Sequence, residues 1–295
     1  MNFYRNFTIA AALTSATAIT LLSPSAIAFT ITPTNNTQIL LDSLLGTTTG
    51  LSNFSMDILD GNPEAMGLFE NDPFGLGSGI VLSTGLVSEI SGKNTVDGGI
   101  VADLKNMPND LSHYFGDEPD TPDLLSLQIS FDADQTASKL FFQYVFGSEE
   151  FVEFGGTQYN DSFELLLNGI NLAKLSDGQT VTINNLVPDP EGPFHPDYIN
   201  NPAESSIPTK LDGFTRTLTF EGLLRQNARN TLTINIQDVG DGRLDSAVFL
   251  KGQSLGTALP PETEKVPEPG LAIASLVVGS LILRKGRKSS SRSRD

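Results

Sequence analysis

The chain has 295 residues, no cysteine, no tryptophan and a formal net charge of −17. The lack of cysteine excludes disulfides, thiolate metal sites and cysteine nucleophiles, and the acidic balance excludes nucleic acid as a partner, because such a surface repels phosphate. Stability must come from a packed core, which a chain of this length can build without covalent staples.

Arg5, an apolar stretch from Phe7 to Leu22, and Ser25-Ala26-Ile27-Ala28 ahead of Phe29 stand in the order of an export signal. Ala26 and Ala28 supply the small side chains that signal peptidase accepts, so residues 1–28 are expected to be a cleaved signal peptide and Phe29 the start of the mature chain. Residues 29–266 hold 33 Asp and Glu against 11 Lys and Arg, a net charge of −22. Such a surface invites divalent cations.

After a polar stretch, the spacing of Ile39, Leu40, Leu41, Leu44 and Leu45 predicts a short helix. Strands follow beyond Gly50. Gly79 to Gly85 is an apolar run between glycines, and Leu125, Leu127, Ile129 and Phe131 alternate with polar residues at period two. Leu140 to Phe146 is apolar on both parities, which marks a central strand covered on two sides. That pattern makes Phe141, Phe142, Tyr144 and Phe146 core residues rather than a ligand groove.

Phe163, Leu165 and Leu167 continue the alternation, as do Val181 with Ile183, Leu218 with Phe220, and Leu232, Ile234 and Ile236, before a last strand from Ala247 to Leu250. Turn-forming Gly, Asn, Asp and Pro separate these runs. The expected fold is all-β, an antiparallel sandwich in the jelly-roll style with a short N-terminal helix. Two stretches, Asp103 to Asp123 and Pro188 to Pro208, are expected to be long surface loops carrying the two histidines, His113 and His195, in solvent.

Two acidic groups are the candidates for chemistry. Asp238, Asp241 and Asp245 lie within eight residues of a glycine-bearing loop between two strands. Two carboxylates held ~5 Å apart repel by about 3 kcal/mol at an effective dielectric of ~20. Calcium would reverse that sign, since it takes 6 to 8 oxygen ligands in irregular geometry. Glu149, Glu150 and Asp161 form the second group, if residues 151–160 make a hairpin loop that returns Asp161 beside the glutamates. Neighbouring Glu149 and Glu150 point to opposite faces of a regular strand, a limit that a bulge at Gly147 would relax. The bland alternative for all six is solvation, or capping by backbone amides and Arg243. Catalysis has less support: Glu150 with Asp161 is the minimum a glycosidase needs, but no tryptophan stacks sugars and no nucleophile motif accompanies a histidine.

Residues 256–265 have the composition of a solvated stalk. Val266-Pro267-Glu268-Pro269 then leads into the apolar segment 271–283 and the basic flank Arg284, Lys285, Arg287 and Lys288, ahead of a cytoplasmic tail over 289–295. Thirteen residues cover about 20 Å of a ~30 Å hydrocarbon core, a weak permanent anchor and a sufficient temporary one. Residues 266–288 resemble the PEP-CTERM sorting signal. The resemblance implies recognition by an exosortase in the inner membrane of a Gram-negative bacterium, then release toward the cell surface or an exopolysaccharide matrix.

The region 29–255 resembles the choice-of-anchor L domain of bacterial surface proteins. The resemblance is carried by GIVLSTG (Gly79 to Gly85), YVFGSEEF (Tyr144 to Phe151), NDSF (Asn160 to Phe163), DGF (Asp212 to Phe214) and DVGDGRLDSAVF (Asp238 to Phe249). It implies fold and location more than activity. The resulting expectation is a non-enzymatic, adhesive or structural surface protein with calcium as candidate cofactor. Its expected partners are signal peptidase and exosortase during processing, the membrane through the C-terminal segment, and extracellular polysaccharide. The alternative is a secreted carbohydrate-active hydrolase using Glu150 and Asp161.

Overall fold

The computed structural model describes residues 28–97, 109–115 and 121–260. The calls on Ala26, on the motif Val266-Pro267-Glu268-Pro269, on segment 271–283 and on the basic flank lie outside these residues, and Ala28 is the first residue described, exposed to solvent. Among the described residues no helix is long and apolar enough to cross a membrane.

Helix α1 (Thr37–Leu44) forms where expected, because Asn36 accepts hydrogen bonds from the backbone N–H groups of Gln38 (3.1 Å) and Ile39 (3.2 Å) and so caps its first turn. Its buried face is Leu40, Leu41 and Leu44. The rest is two antiparallel sheets. The first contains β1 (Thr30–Pro33), β3 (Met66–Glu70), β4 (Ser78–Ser83), β14 (Ser246–Lys251), β6 (Lys139–Ser148), β11 (Gly213–Thr215) and β10 (Tyr198–Asn200) in that spatial order, with β12 (Leu218–Leu223) also paired to β6. The second runs β2 (Leu51–Asp60), β5 (Leu124–Ala133), β13 (Ala228–Gln237), β7 (Ser162–Leu167) and β8 (Ile170–Asn171), with β9 (Val181–Thr182) paired to β7. The fold is an all-β sandwich.

The main core lies between the sheets. Phe142, Tyr144 and Phe146 of β6 meet Phe163 and Leu165 of β7 and Leu232, Ile234 and Ile236 of β13 there, and the Tyr144 and Phe163 rings stand 5.1 Å apart. The opposite face of the first sheet is covered too. Val81, Val145, Ala247 and Phe249 pack beneath Phe29, Phe74, Leu76, Val87, Ile90 and Leu111. This second core is the reason β6 is apolar on both parities.

Three expectations are corrected. Ile183 is not a strand residue: the Thr182 hydroxyl accepts from Asn185 N–H at 3.2 Å, and this cap turns Ile183–Leu186 into one helical turn, α2. Residues 109–115 are not a surface excursion, since Leu111 is fully buried and neighbouring amides are used inside the molecule. The histidines are not simply solvated either. His195 has a 7% exposed ring whose Nε2 lies 3.3 Å from Asp177, while His113 lies 3.3 Å from Asp245.

Phe249 touches Phe29, Phe69 and Phe74 in the second core at ring separations of 6.1, 5.4 and 4.5 Å. Phe249→Ala is expected to lower the unfolding free energy by about 3–5 kcal/mol. Leu223→Ala, at a 73% exposed position, is expected to stay within about 0.5 kcal/mol. Urea titration of both variants checks this, and equal effects would mean that the outer face of the first sheet is open.

Candidate functional site: a buried carboxylate centre

Two strand registers build the site. In the second sheet Ser162 of β7 pairs with Gln237 of β13, so the residues just beyond that pair, Asp161 and Asp238, are brought side by side. In the first sheet Ser148 of β6 pairs with Ser246 of β14, which sets Glu149 beside Asp245, and Glu149 N–H donates to the Asp245 carbonyl at 3.1 Å. The connections β6 to β7 and β13 to β14 both cross from one sheet to the other. Residues 151–160 are therefore an inter-sheet crossing and not a hairpin, although they do return Asp161 to the neighbourhood of Glu150. The sheets are joined here by Ser246, whose hydroxyl reaches Asp161 (2.7 Å) and Ser148 (2.9 Å).

All six acids singled out from sequence are withdrawn from solvent, with residue exposures from 0% for Glu149 to 9% for Asp241. Solvation of the group is thus overturned. Backbone amides cap part of it: Val239 N–H donates to Asp161 Oδ1 (2.9 Å), Asp110 N–H to Glu149 Oε1 (2.7 Å), and His113 N–H to Asp245 Oδ1 (2.8 Å). Arg243 stands 3.6 Å from Asp241. Gly85 is required by this packing, because a Cβ there would lie 1.9 Å from Asp245 Oδ2. Gly240 allows the tight turn of the last crossing at φ +109°.

Glu149 and Glu150 stand in the bend that follows β6 and take different partners. Among the charges acting on Glu150, Asp161 and Asp241 come first. Glu149 takes the amide of Asp110 and is one of the charges acting on Asp212. Sequence reasoning missed Asp212, 2% exposed, and Glu153. Asp212 stood in view within the DGF motif, and Glu153 as a third acid just past the glutamate pair.

The capping is incomplete. Glu149 Oε2, Glu150 Oε2, Glu153 Oε2, Asp212 Oδ2 and Asp238 Oδ1 are buried oxygens without a hydrogen-bond partner. A buried, unpaired carboxylate is strongly disfavoured in its charged form. Burial accordingly pushes Glu149 up to about 9, Asp212 up to about 10 and Asp161 up to about 7. Glu150 and Asp238 are raised well above the ordinary carboxylate range by burial and then by Asp161. Asp245 is raised by burial in spite of His113, and His113 is itself raised by its hydrogen bond to Asp245.

Five carboxylates with free oxygens at one end of a sandwich can take protons or cations. The donor set is oxygen alone, the chemistry of a hard divalent cation such as calcium. Among the described residues no three acidic or histidine side chains already surround one point at ligand distance.

A family model described as the choice-of-anchor L domain matches residues 29–256. The chain belongs to the choice-of-anchor L domain family. Membership points to an extracellular or cell-surface protein. Among curated proteins none matches the chain. Among solved structures, a family 35 carbohydrate-binding module from an environmental isolate is similar at 12% identity, over 59% of this chain and 96% of the module, with a TM-score of 0.20.

The raised carboxylates fix the sign of the pH dependence in this choice-of-anchor L domain. Unfolded Asp and Glu release protons near pH 4, whereas the folded centre holds them to higher pH. Stability is complete below about pH 4 and is lost as pH rises through the folded values of about 7 to about 10. His113, also raised, acts in the same sense. In chelator the unfolding free energy is expected to be lower at pH 8 than at pH 5, by about 1.4 kcal/mol per pH unit for each proton so held, and the melting temperature to fall with it. Thermal melts across that range measure it, and a rising temperature would contradict the account.

Proposed function

We propose that this choice-of-anchor L domain is the ectodomain of an exported, non-enzymatic protein of the cell surface or extracellular matrix, adhesive or structural in role, with calcium bound at the buried carboxylate centre. One observation carries the cation reading. Glu150 Oε2 and Asp238 Oδ1 are buried without hydrogen-bond partners, while Asp161 and Asp241 are among the charges acting on Glu150. Glu150, Asp161, Asp238 and Asp241 would hold the ion. When bound, it supplies the positive charge that lets the four stay ionised and ties the crossing 151–160 to the crossing 238–245. The tail at 266–288 supports sorting by an exosortase, after signal peptidase has acted behind Ala28. Extracellular polysaccharide is the proposed matrix partner.

Burial also supports a structural role over hydrolysis by Glu150 and Asp161. These residues are 3% and 1% exposed, and both Asp161 oxygens are already engaged by Val239 N–H and the Ser246 hydroxyl. An acid and nucleophile for glycoside cleavage must flank a bound sugar, and this pair is enclosed by its own chain.

With calcium at about 100 times its dissociation constant, the folded state gains about 2.7 kcal/mol over the chelated protein. That gain corresponds to a rise of roughly 5–10 °C in melting temperature for a domain of this size. Glu150→Gln is expected to abolish most of the rise. Equal melting in calcium and chelator would remove calcium from the proposal, and turnover of a polysaccharide panel that Glu150→Gln abolishes would replace it with the hydrolase.

A further inference from the structure

The end of β6 presents acids to two sides, and the centre around Glu150 accounts for one. On the other side a third register operates. Gly213 of β11 pairs with Ser148 of β6, which sets Asp212 next to Glu149, and Asp212 N–H donates to the Ser148 carbonyl at 3.1 Å. Asp212 Oδ1 is held by the Asn94 amide at 2.6 Å, and the same amide donates to the Asn201 carbonyl at 2.7 Å. Asn201 in turn donates to the carbonyls of Thr209 (3.0 Å) and Leu211 (2.6 Å). Asp212 is therefore fixed by a buried amide network, with Asn94 and Asn201 both 0% exposed.

Glu149 and Asp212 each have one oxygen committed and one left over. Asp212 Oδ2, Glu149 Oε2 and Glu153 Oε2 are buried and without hydrogen-bond partners, and Asp212 and Glu149 are 2% and 0% exposed. The charges acting on Asp212 are those of Glu149, Glu153 and Asp97. Lys93, on the neighbouring loop, is engaged with Glu204.

We infer that Glu149, Glu153 and Asp212 form a second calcium site, separate from the one at Glu150, with water completing the coordination. The ion adds a tie between the end of β6, the turn after it, and the loop that leads into β11, beyond the strand pairing of β6 with β11. Calcium suits such a site because it accepts irregular oxygen sets of 6 to 8 ligands. The inference does not rest on the first site, which takes Glu150, Asp161, Asp238 and Asp241 and shares none of these three ligands. The two sites do sense each other, since Glu149 and Glu153 also act on Glu150.

The test is calcium uptake by the purified full chain, stripped with chelator and titrated by calorimetry. Two equivalents are expected for the natural chain, one for Asp212→Asn and one for Glu150→Gln. Asn94→Ala is expected to weaken one equivalent by about 10- to 100-fold through loss of the group that orients Asp212. Unchanged uptake by Asp212→Asn would overturn the second site alone, whereas no uptake by the natural chain would overturn both. Should Asp212→Asn fail to fold, terbium replaces calcium in Glu150→Gln, where the second site remains. The chain has no tryptophan, and Tyr198 lies beside this site, 2.5 Å from the place a Cβ on Gly213 would occupy. Terbium emission sensitised by tyrosine is expected in Glu150→Gln and its loss on adding Tyr198→Phe. Emission that survives Tyr198→Phe unchanged would overturn the site.

Discussion

Repulsion among carboxylates that strand pairing forces together is the interaction on which the end of this sandwich depends. The pairs Ser148 with Ser246 and Ser162 with Gln237 are set by apolar residues further along the strands, because slipping either register by one residue would turn a whole buried face toward water. The acids just beyond those pairs have no freedom to separate. Glu149 stays beside Asp245, and Asp161 beside Asp238, whatever their charge. The free energy of the two hydrophobic cores is thus set against the electrostatics of the strand ends.

Such an arrangement makes chemical sense in an exported protein without cysteine. A domain outside the cytoplasm loses the option of disulfides when it has no thiols, and loops that cross between sheets need some other tie. Hydroxyls and amides supply part of it here through Ser148, Ser246, Asn94 and Asn201. Buried carboxylates supply the rest once a counter-charge is present, since breaking or forming such a centre changes the stability of several segments together. Extracellular calcium would then act as a folding ligand for a surface domain, and its withdrawal would loosen the same end first.

The sandwich was legible in sequence wherever a strand was long and half-buried, as in Leu124–Ala133 and Ala228–Gln237, because period-two alternation is strong there. It was not legible in β1, β10 and β11, which have only three or four residues each and show no period. Val181 is a strand residue as expected, and Ile183 misled for a local reason, the hydroxyl cap of Thr182. All six acids singled out from sequence were visible as residue types in glycine-bearing turns. Their burial was not, because charged turn residues between strands are ordinarily solvated, and only the pairing of β6 with β14 and of β7 with β13 takes these inside. Asp212 was missed for the same reason at one remove, since its place beside Glu149 follows from a three-residue strand with no sequence signal of its own.

The central claim is that the strand registers hold these acids in a dry site and so keep them protonated when no cation is present. Carbon-detected NMR of the side-chain carboxyls, followed through a pH titration in chelator, measures this at the groups concerned. The account predicts that Asp161 titrates near 7 and Glu149 near 9, far from the ordinary carboxylate value of about 4. Titration of both close to 4 would show hydrated, independent acids and contradict it.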